Sequence, residues 1–216
     1  SELRQSMLPS LLEALQYNVA RSQQNVRLFE VGKVFSIGKN GSEDFQEREV
    51  IGAAVTGEWG HASWQSPSQP VDFFALKGVL EAYFAELNCS DRIRFVATDA
   101  IGQLHPGQTA YIYLGKELIG FIGKIHPVIQ KELDLSDTFV FELLVEPLLA
   151  EGLKERVIQA VPKFPSMTRD IALLVPVTMT HATLEAVIKE QAGQYVQSVT
   201  LFDVYKGEHV QEGYQS

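Results

Sequence analysis

A chain of 216 residues, 45% of them hydrophobic, is long enough for one large domain or for a domain with a smaller companion, and too apolar for a disordered segment. Its formal charge is −9, with four basic and six acidic residues after position 160, which argues against tight nucleic-acid binding by this piece alone, since that needs Lys and Arg opposite phosphates. The longest apolar runs, such as Ile171–Val175, are far too short to cross a bilayer, no charged-then-apolar leader opens the chain, and one cysteine, Cys89, leaves no internal disulfide.

Leu8, Leu11, Leu12, Leu15 and Val19 recur at helical spacing and predict an amphipathic helix from Pro9 to about Ser22. Pro9 suits a first turn, while Ser10 with Glu13 offers a competing capping-box start. Val26–Phe35 switches to strand period, with Phe29, Val31 and Phe35 on one face and Leu28, Glu30, Gly32 and Val34 on the other. Asn40-Gly41 marks a turn, and Glu49–Thr56 returns as the second strand of a hairpin. Gly57–Pro70 is a loop carrying Trp59 and Trp64. Asp72 is placed to cap a helix whose apolar face is Phe73, Leu76, Leu80, Tyr83, Phe84 and Leu87. A strand over Arg92–Thr98 follows, then a tight hairpin of Thr109–Leu114 and Glu117–Gly123, whose Gly115-Lys116 turn suits type II′. His126-Pro127 opens a short helix to about Leu133, Thr138–Val145 is a strand, and Glu146-Pro147 starts another short helix. Hairpin-linked strands with helices between them predict an α+β domain over residues 1–160, built on a largely antiparallel sheet.

Val161-Pro162-Lys163-Phe164-Pro165 carries two prolines and marks a stiff boundary. Beyond it, Arg169–Val175 and Val196–Tyr205 read as strands around a helix over Thr180–Gly193, striped by Leu184, Val187 and Ile188. Thr180 or Thr183 is placed to cap this helix and Gly193 to stop it. Residues 161–216 therefore hold one β-α-β unit.

Three stretches, in order, resemble one family. Leu3-Arg4-Gln5-Ser6-Met7-Leu8-Pro9-Ser10-Leu11-Leu12 running into Arg27-Leu28-Phe29-Glu30-Val31-Gly32-Lys33-Val34-Phe35 resembles the catalytic-like domain of the phenylalanyl-tRNA synthetase beta subunit family, as does Asp72-Phe73-Phe74-Ala75-Leu76-Lys77-Gly78-Val79. Lys163-Phe164-Pro165-Ser166-Met167-Thr168-Arg169-Asp170-Ile171-Ala172, with Leu201-Phe202-Asp203-Val204-Tyr205-Lys206-Gly207, resembles the ferredoxin-like anticodon-binding domain at the end of that subunit. The resemblance implies a class II aminoacyl-tRNA synthetase-like antiparallel sheet flanked by helices for residues 1–160. It implies a catalytic alpha subunit as partner, in a heterotetramer of two alpha and two beta chains, with tRNA(Phe) bound by the intact enzyme. ATP and Mg are implied for that holoenzyme through the alpha subunit or other domains, with no cofactor held here.

In active class II enzymes, the strand that Phe29–Phe35 resembles continues with an Arg that meets the ATP α-phosphate, then an acidic residue. Here Ser36-Ile37-Gly38 follows. The nearest match to the Gly-rich strand that leads into a helix with a second ATP-binding Arg is Leu118–Pro127, and it holds no Arg. No catalytic residue is assigned, and residues 1–160 read as a scaffold. Glu30 then has two readings: a ligand for a substrate amine, or a carboxylate satisfied by strand-end hydrogen bonds or by the partner subunit.

The five histidines and Cys89 share no ligand spacing, so no metal site is assigned, and no G-x-S-x-G elbow suggests hydrolase chemistry. An exposed Trp is costly unless it meets a partner, so Trp59 and Trp64 are candidate subunit contacts, against the alternative that both fold back onto the sheet. Implied by the resemblance, Lys163, Arg169, Tyr205 and Lys206 are candidates for reaching tRNA phosphates or stacking on a base. The competing reading pairs Arg169 with Asp170 or Asp203 on the surface.

A ferredoxin-like fold runs β-α-β-β-α-β with its third strand between the first two. Ser216 falls just after the second predicted strand, so residues 161–216 are expected to be an incomplete ferredoxin-like unit. Unpaired backbone and an exposed apolar sheet face should follow, with the segment mobile, paired with a neighbouring chain, or paired in a non-native way. The functional expectation is a non-catalytic structural and tRNA-binding part of a phenylalanine–tRNA ligase beta subunit. A pure subunit scaffold and a divergent ATP-dependent adenylating enzyme are the alternatives. The setting is read as cytoplasmic, and Ser1 in place of Met as a start within a longer protein.

Overall fold

The computed structural model describes residues 3–37, 45–60, 62–152, 165–207 and 210–216, which fall into two units, Ser1–Ile158 and Gln159–Ser216. The predicted turn at Asn40-Gly41 and most of the predicted linker lie outside the described residues.

In the first unit, strands β1 (Val26–Ile37), β2 (Phe45–Thr56), β3 (Ile93–Ala97), β4 (Leu104–Leu114), β5 (Glu117–Ile125) and β6 (Thr138–Leu144) form one six-stranded sheet in the order β1-β2-β6-β5-β4-β3. Every pairing is antiparallel. The last strand in sequence takes the centre because it is apolar on both sides: Phe139, Val140, Phe141 and Leu143 are all buried.

Each face of the sheet is covered by one main helix. Helix α1 (Leu8–Val19) buries Leu8, Leu11, Leu12 and Leu15 against Val26, Val34, Val50, Ala54 and Val140. Helix α2 (Phe73–Glu86) buries Leu76, Leu80 and Phe84 in a second cluster with Val55, Ile112, Ile119, Ile122 and Phe141. Each fully buried leucine, isoleucine or phenylalanine contributes about 1.5–3 kcal/mol of transfer free energy. Two short helices, α3 (Pro127–Glu132) and α4 (Val145–Gly152), follow β5 and β6.

Local chemistry sets most of the boundaries. Helix α1 stops before Ser22, whose φ of 67° is left-handed. Ser10 forms no capping box, because its hydroxyl donates to the Met7 carbonyl at 3.0 Å. Asp72 caps α2 as the sequence indicates, accepting from the Ala75 N–H at 2.7 Å, and His126 caps α3 by accepting from the Val128 N–H at 3.3 Å. Gly115, at φ 62°, turns the tight hairpin that pairs Leu114 with Glu117. Strand β2 begins earlier than its apolar alternation does, because Phe45–Arg48 is extended by pairing with β1 and not by pattern, and β4 begins at Leu104, whose pairing with Ile125 is separated from the ladder at Thr109 by a register break.

The second unit departs from the sequence reading. Helix α5 (His181–Ala192) forms where predicted, with the Thr183 N–H donating to the Thr180 hydroxyl at 3.3 Å and Gly193 stopping it at φ 59°. The predicted strands Arg169–Val175 and Val196–Tyr205 do not form as such. Among the described residues the only ladder in this unit pairs β7 (Val175–Pro176) with β8 (Tyr214–Gln215). Residues 213–216 lie between the two extended segments. The Val177 N–H donates to the Gly213 carbonyl at 3.0 Å, and Tyr205 and Ser216 exchange both backbone bonds, at 2.7 and 3.1 Å. Residues 214–216 thus open a strand in the position expected of the third, which corrects the expectation that only two strands are represented. Ile171, Leu174, Leu201 and Phe202 stay exposed, the apolar exposure that the strand count anticipates.

Two glycines separate helix propensity from close packing. Gly78, in α2, has open space where a Cβ would point, whereas a Cβ on Gly120 would overlap the Glu142 carbonyl of β6. Thermal denaturation should show Gly78→Ala stabilising by roughly 0.5–1 kcal/mol and Gly120→Ala destabilising by about 1–3 kcal/mol.

Candidate functional site

Even-numbered residues of β1, β2 and β6 face α1, and one row across them reads Glu30, Gly52, Glu142. Two carboxylates and a glycine at the middle of an antiparallel sheet would make a concave polar floor if nothing lay on them. The chain's own first residues lie there. The Arg4 guanidinium meets the Glu30 carboxylate, with Nη1 to Oε1 at 2.8 Å, and its Nε donates to the Lys33 carbonyl at 2.9 Å. Gly32 makes room for this side chain, since a Cβ there would overlap Arg4 Nη2. Gly52 does the same for α1, because its Cβ would stand 3.0 Å from Met7 Cβ and 3.1 Å from Leu11 Cδ1.

Glu142 is 9% exposed, and one of its oxygens, Oε2, accepts from the Ser6 hydroxyl at 2.8 Å and the Met7 N–H at 2.7 Å. Met7 is the N-cap of α1 and has no side-chain cap of its own, so a carboxylate from a distant strand satisfies the helix start. Residues 4–7 form a strap that lies across this face. Glu30 pairs with Arg4 of its own chain, a partner that neither reading of Glu30 named. The sequence reading assigned no role to Arg4, Ser6 or Glu142. The available signal was a lone acid inside the buried run Thr138–Leu144.

Ser36 sits exposed near the end of β1 opposite Gln46, and Gly38 lies outside the described residues. The glycines of β5 serve packing. Gly120 closes on the β6 backbone, and a Cβ on Gly123 would meet the Thr109 hydroxyl at 2.7 Å. Two strands run into helices, β5 into α3 and β6 into α4, and neither junction contains an arginine. Among the described residues no group of three His, Cys, Asp or Glu side chains could hold a metal ion. Cys89 is fully buried, and burial raises its thiol pKa, with the Glu151 and Asp91 carboxylates adding to the rise.

The tryptophan loop folds on itself. The Trp59 N–H donates to the Gln69 carbonyl at 2.6 Å, the Ser68 hydroxyl to the Gly60 carbonyl at 2.9 Å, and the Ser63 N–H to the Ser66 carbonyl at 2.9 Å. Trp64 lies inside that last turn and is 91% exposed. Trp59 is held at the base, with the Arg27 guanidinium 5.1 Å from its ring centroid. The alternative in which both indoles fold onto the sheet fails for Trp64.

In the second unit, Arg169 and Lys206 are exposed, and no ion pair joins Arg169 to Asp170 or Asp203 among the described residues. The Tyr205 ring folds over Gly207, where a Cβ would overlap the phenol oxygen, and its backbone holds Ser216. Tyr205 and Lys206 therefore sit together at the turn into β8. Lys163 lies outside the described residues.

Residues 1–145 match the family described as the phenylalanyl tRNA synthetase beta chain CLM domain, and residues 162–216 match the ferredoxin-fold anticodon binding domain family. The phenylalanine–tRNA ligase beta subunit of Bacillus subtilis is 48% identical over 216 residues, covering 100% of this chain and 27% of that protein. The corresponding subunit of Bacillus licheniformis is 44% identical over 216 residues, again 100% of this chain and 27% of that protein. That of Halalkalibacterium halodurans is 42% identical over 217 residues, with the same two shares. The chain thus spans 27% of the length of these relatives. Among solved structures, pyrrolysyl-tRNA synthetase from Desulfitobacterium hafniense overlaps 68% of this chain and 48% of that one, at a TM-score of 0.49 and 13% identity, too loose a fit to decide anything further.

Glu142→Ala leaves the Met7 N–H and the Ser6 hydroxyl without their shared acceptor, and urea titration should show a loss of about 2–3 kcal/mol. Glu142→Gln keeps one acceptor oxygen and should lose less. Native Cys89 should resist alkylation at neutral pH and react once the chain is unfolded.

Proposed function

This chain belongs to the phenylalanyl tRNA synthetase beta chain family, and from that premise we propose that it is a non-catalytic, structural and tRNA-binding part of a phenylalanine–tRNA ligase beta subunit. The observation that carries the non-catalytic half is the strap. Arg4 is committed to Glu30, and Ser6 and Met7 are committed to Glu142, so the floor of the first sheet is polypeptide. Its residues do not fit ATP or magnesium: both carboxylates already have partners, and the strand-to-helix junctions hold no arginine. On this reading the first unit is a class II synthetase-like sheet that serves as scaffold. ATP, magnesium and phenylalanine are then handled by an alpha subunit, in a cytoplasmic heterotetramer of two alpha and two beta chains. Trp64, presented at the tip of a closed turn, is a subunit contact with Trp59 at its base; fully exposed indole is the residue type that anchors protein interfaces.

In the second unit, Arg169, Tyr205 and Lys206 meet tRNA(Phe), with Lys163 proposed from sequence alone. What supports this is the anticodon-binding family match over residues 162–216 together with two exposed cations that no carboxylate pairs with among the described residues. The acidic balance of the segment makes these contacts few, so binding belongs to the intact enzyme and not to this chain alone.

The test uses the assembled ligase. Removing Arg169 or Lys206 by alanine substitution should weaken tRNA binding and lower the slope of log affinity against log salt by about 1 each, by filter binding across a salt series. An unchanged slope in both variants supports the pure scaffold reading. Trp64→Ala should weaken alpha–beta association by about 2 kcal/mol or more. Phenylalanine-dependent pyrophosphate exchange by the chain alone would overturn the non-catalytic reading.

A further inference from the structure

Strand β1 ends the sheet, so one of its sides has no neighbouring strand in the sheet. The direction of its free groups follows from two bonds. The Phe35 N–H donates outward to the Arg4 carbonyl at 2.9 Å, and the Lys33 carbonyl accepts outward from Arg4 Nε at 2.9 Å. Alternation along a strand then points the N–H and C=O of Arg27, Phe29 and Val31 outward as well. These three have no backbone partner on that side among the described residues. Their side chains are no screen. Phe29 is 75% exposed and Val31 51%, on an edge with no proline or bulge to blunt it. The strap shows that this edge accepts an extended chain, and it occupies only the rungs at Lys33 and Phe35.

The open rungs are centred on Phe29, which is the condition for a two-fold pairing. We propose that the β1 edge seats the same edge of a second copy of this chain, antiparallel, with the axis at Phe29. In that register Phe29 faces the partner's Phe29, and Arg27 faces the partner's Val31. All three outward-pointing residues of each copy then fall in pairs that exchange two N–H···O bonds. Charge agrees with the register: Glu30 faces the partner's Leu28 and Lys33 falls opposite the partner's Asn25, so no like charges meet. The strap agrees too, since each copy's rung at Lys33 lies past the start of the partner's β1 at Val26. The interface is isologous and joins two six-stranded sheets into one. At a net charge of −9 per copy, added salt strengthens the association.

Sedimentation equilibrium of the 216-residue chain across a dilution series tests this, with amide exchange read by NMR. The expected result is a mass that doubles with concentration, while the amides of Arg27, Phe29 and Val31 gain protection and those of Leu28 and Glu30, already bonded to β2, stay protected throughout. Phe29→Lys sets two ammonium groups across the axis and should return the monomer, with a thermal melt matching that of the unsubstituted chain at dilutions where both are monomeric, because Phe29 makes little of the core. Val96→Lys, on the exposed strand at the other end of the sheet, should leave the dimer intact. A monomer at every concentration overturns the proposal. So does a dimer that survives Phe29→Lys, which would place the contact on the exposed apolar residues of the second unit, or one lost equally in Val96→Lys. The outcome is independent of the ligase reading, which a failure here leaves untouched.

Discussion

A carboxylate buried in the central strand of a sheet must find donors, and Glu142 finds them in the first turn of the chain's first helix. The bond spans 135 residues of sequence and joins the start of α1 to a strand that lies between β2 and β5. One pair of hydrogen bonds thereby links the position of the last strand to the seating of the first helix. The strap that passes over the face, the pairing of Arg4 with Glu30 and the approach of Met7 to Gly52 all require that seating.

The glycines show how the sequence prepares for it. Gly32 and Gly52 stand side by side with Glu30 and Glu142 on the α1 face, and a side chain at either would push the strap or the helix away. Gly120 lets β5 come close to the Glu142 backbone from the other side. A glycine-bearing strand in this fold class invites a phosphate-binding reading. Here its neighbours are a carbonyl and a threonine hydroxyl, and it is a packing device. The same geometry that would open a nucleotide site in an enzyme is used to bring polypeptide onto polypeptide.

Much of the first unit was legible because its elements are written in period. The 3.6-residue recurrence of leucines gives α1, alternation gives β1, and Asp72 and Gly115 announce a cap and a turn. The early parts of β2 and β4 were not legible, since Phe45–Arg48 becomes strand by pairing with β1, and Leu104–Gln108 holds one paired residue, Leu104, ahead of a register break. The strap was illegible for the same reason in stronger form: nothing local to Arg4 or Ser6 specifies Glu30 or Glu142. The reverse error occurred in the second unit. Arg169–Val175 and Val196–Tyr205 have strand composition, but a ladder needs a partner, and only the short return at Tyr214–Ser216 supplies one. Of the proposed site residues, Trp64 was left between two readings, a subunit contact or a ring folded onto the sheet, and its exposure removes the second; the lack of an acidic partner for Arg169 among the described residues is a matter of side-chain placement that composition left open.

With α1 and the strap lying over one face, contacts with partners are to be sought elsewhere on the surface of the first unit. The distribution of exposed apolar residues says where. Packing of the sheet does not require Phe29 and Val31 on an edge strand, or an indole at the tip of a turn closed by Ser63 and Ser66, to be exposed. Each lies outside both core clusters. Arg27 joins the two regions, stacking on Trp59 while its backbone belongs to the open rungs of β1. Exposed apolar side chains on the edge strand and at the tip of the turn are the features that the proposed associations use.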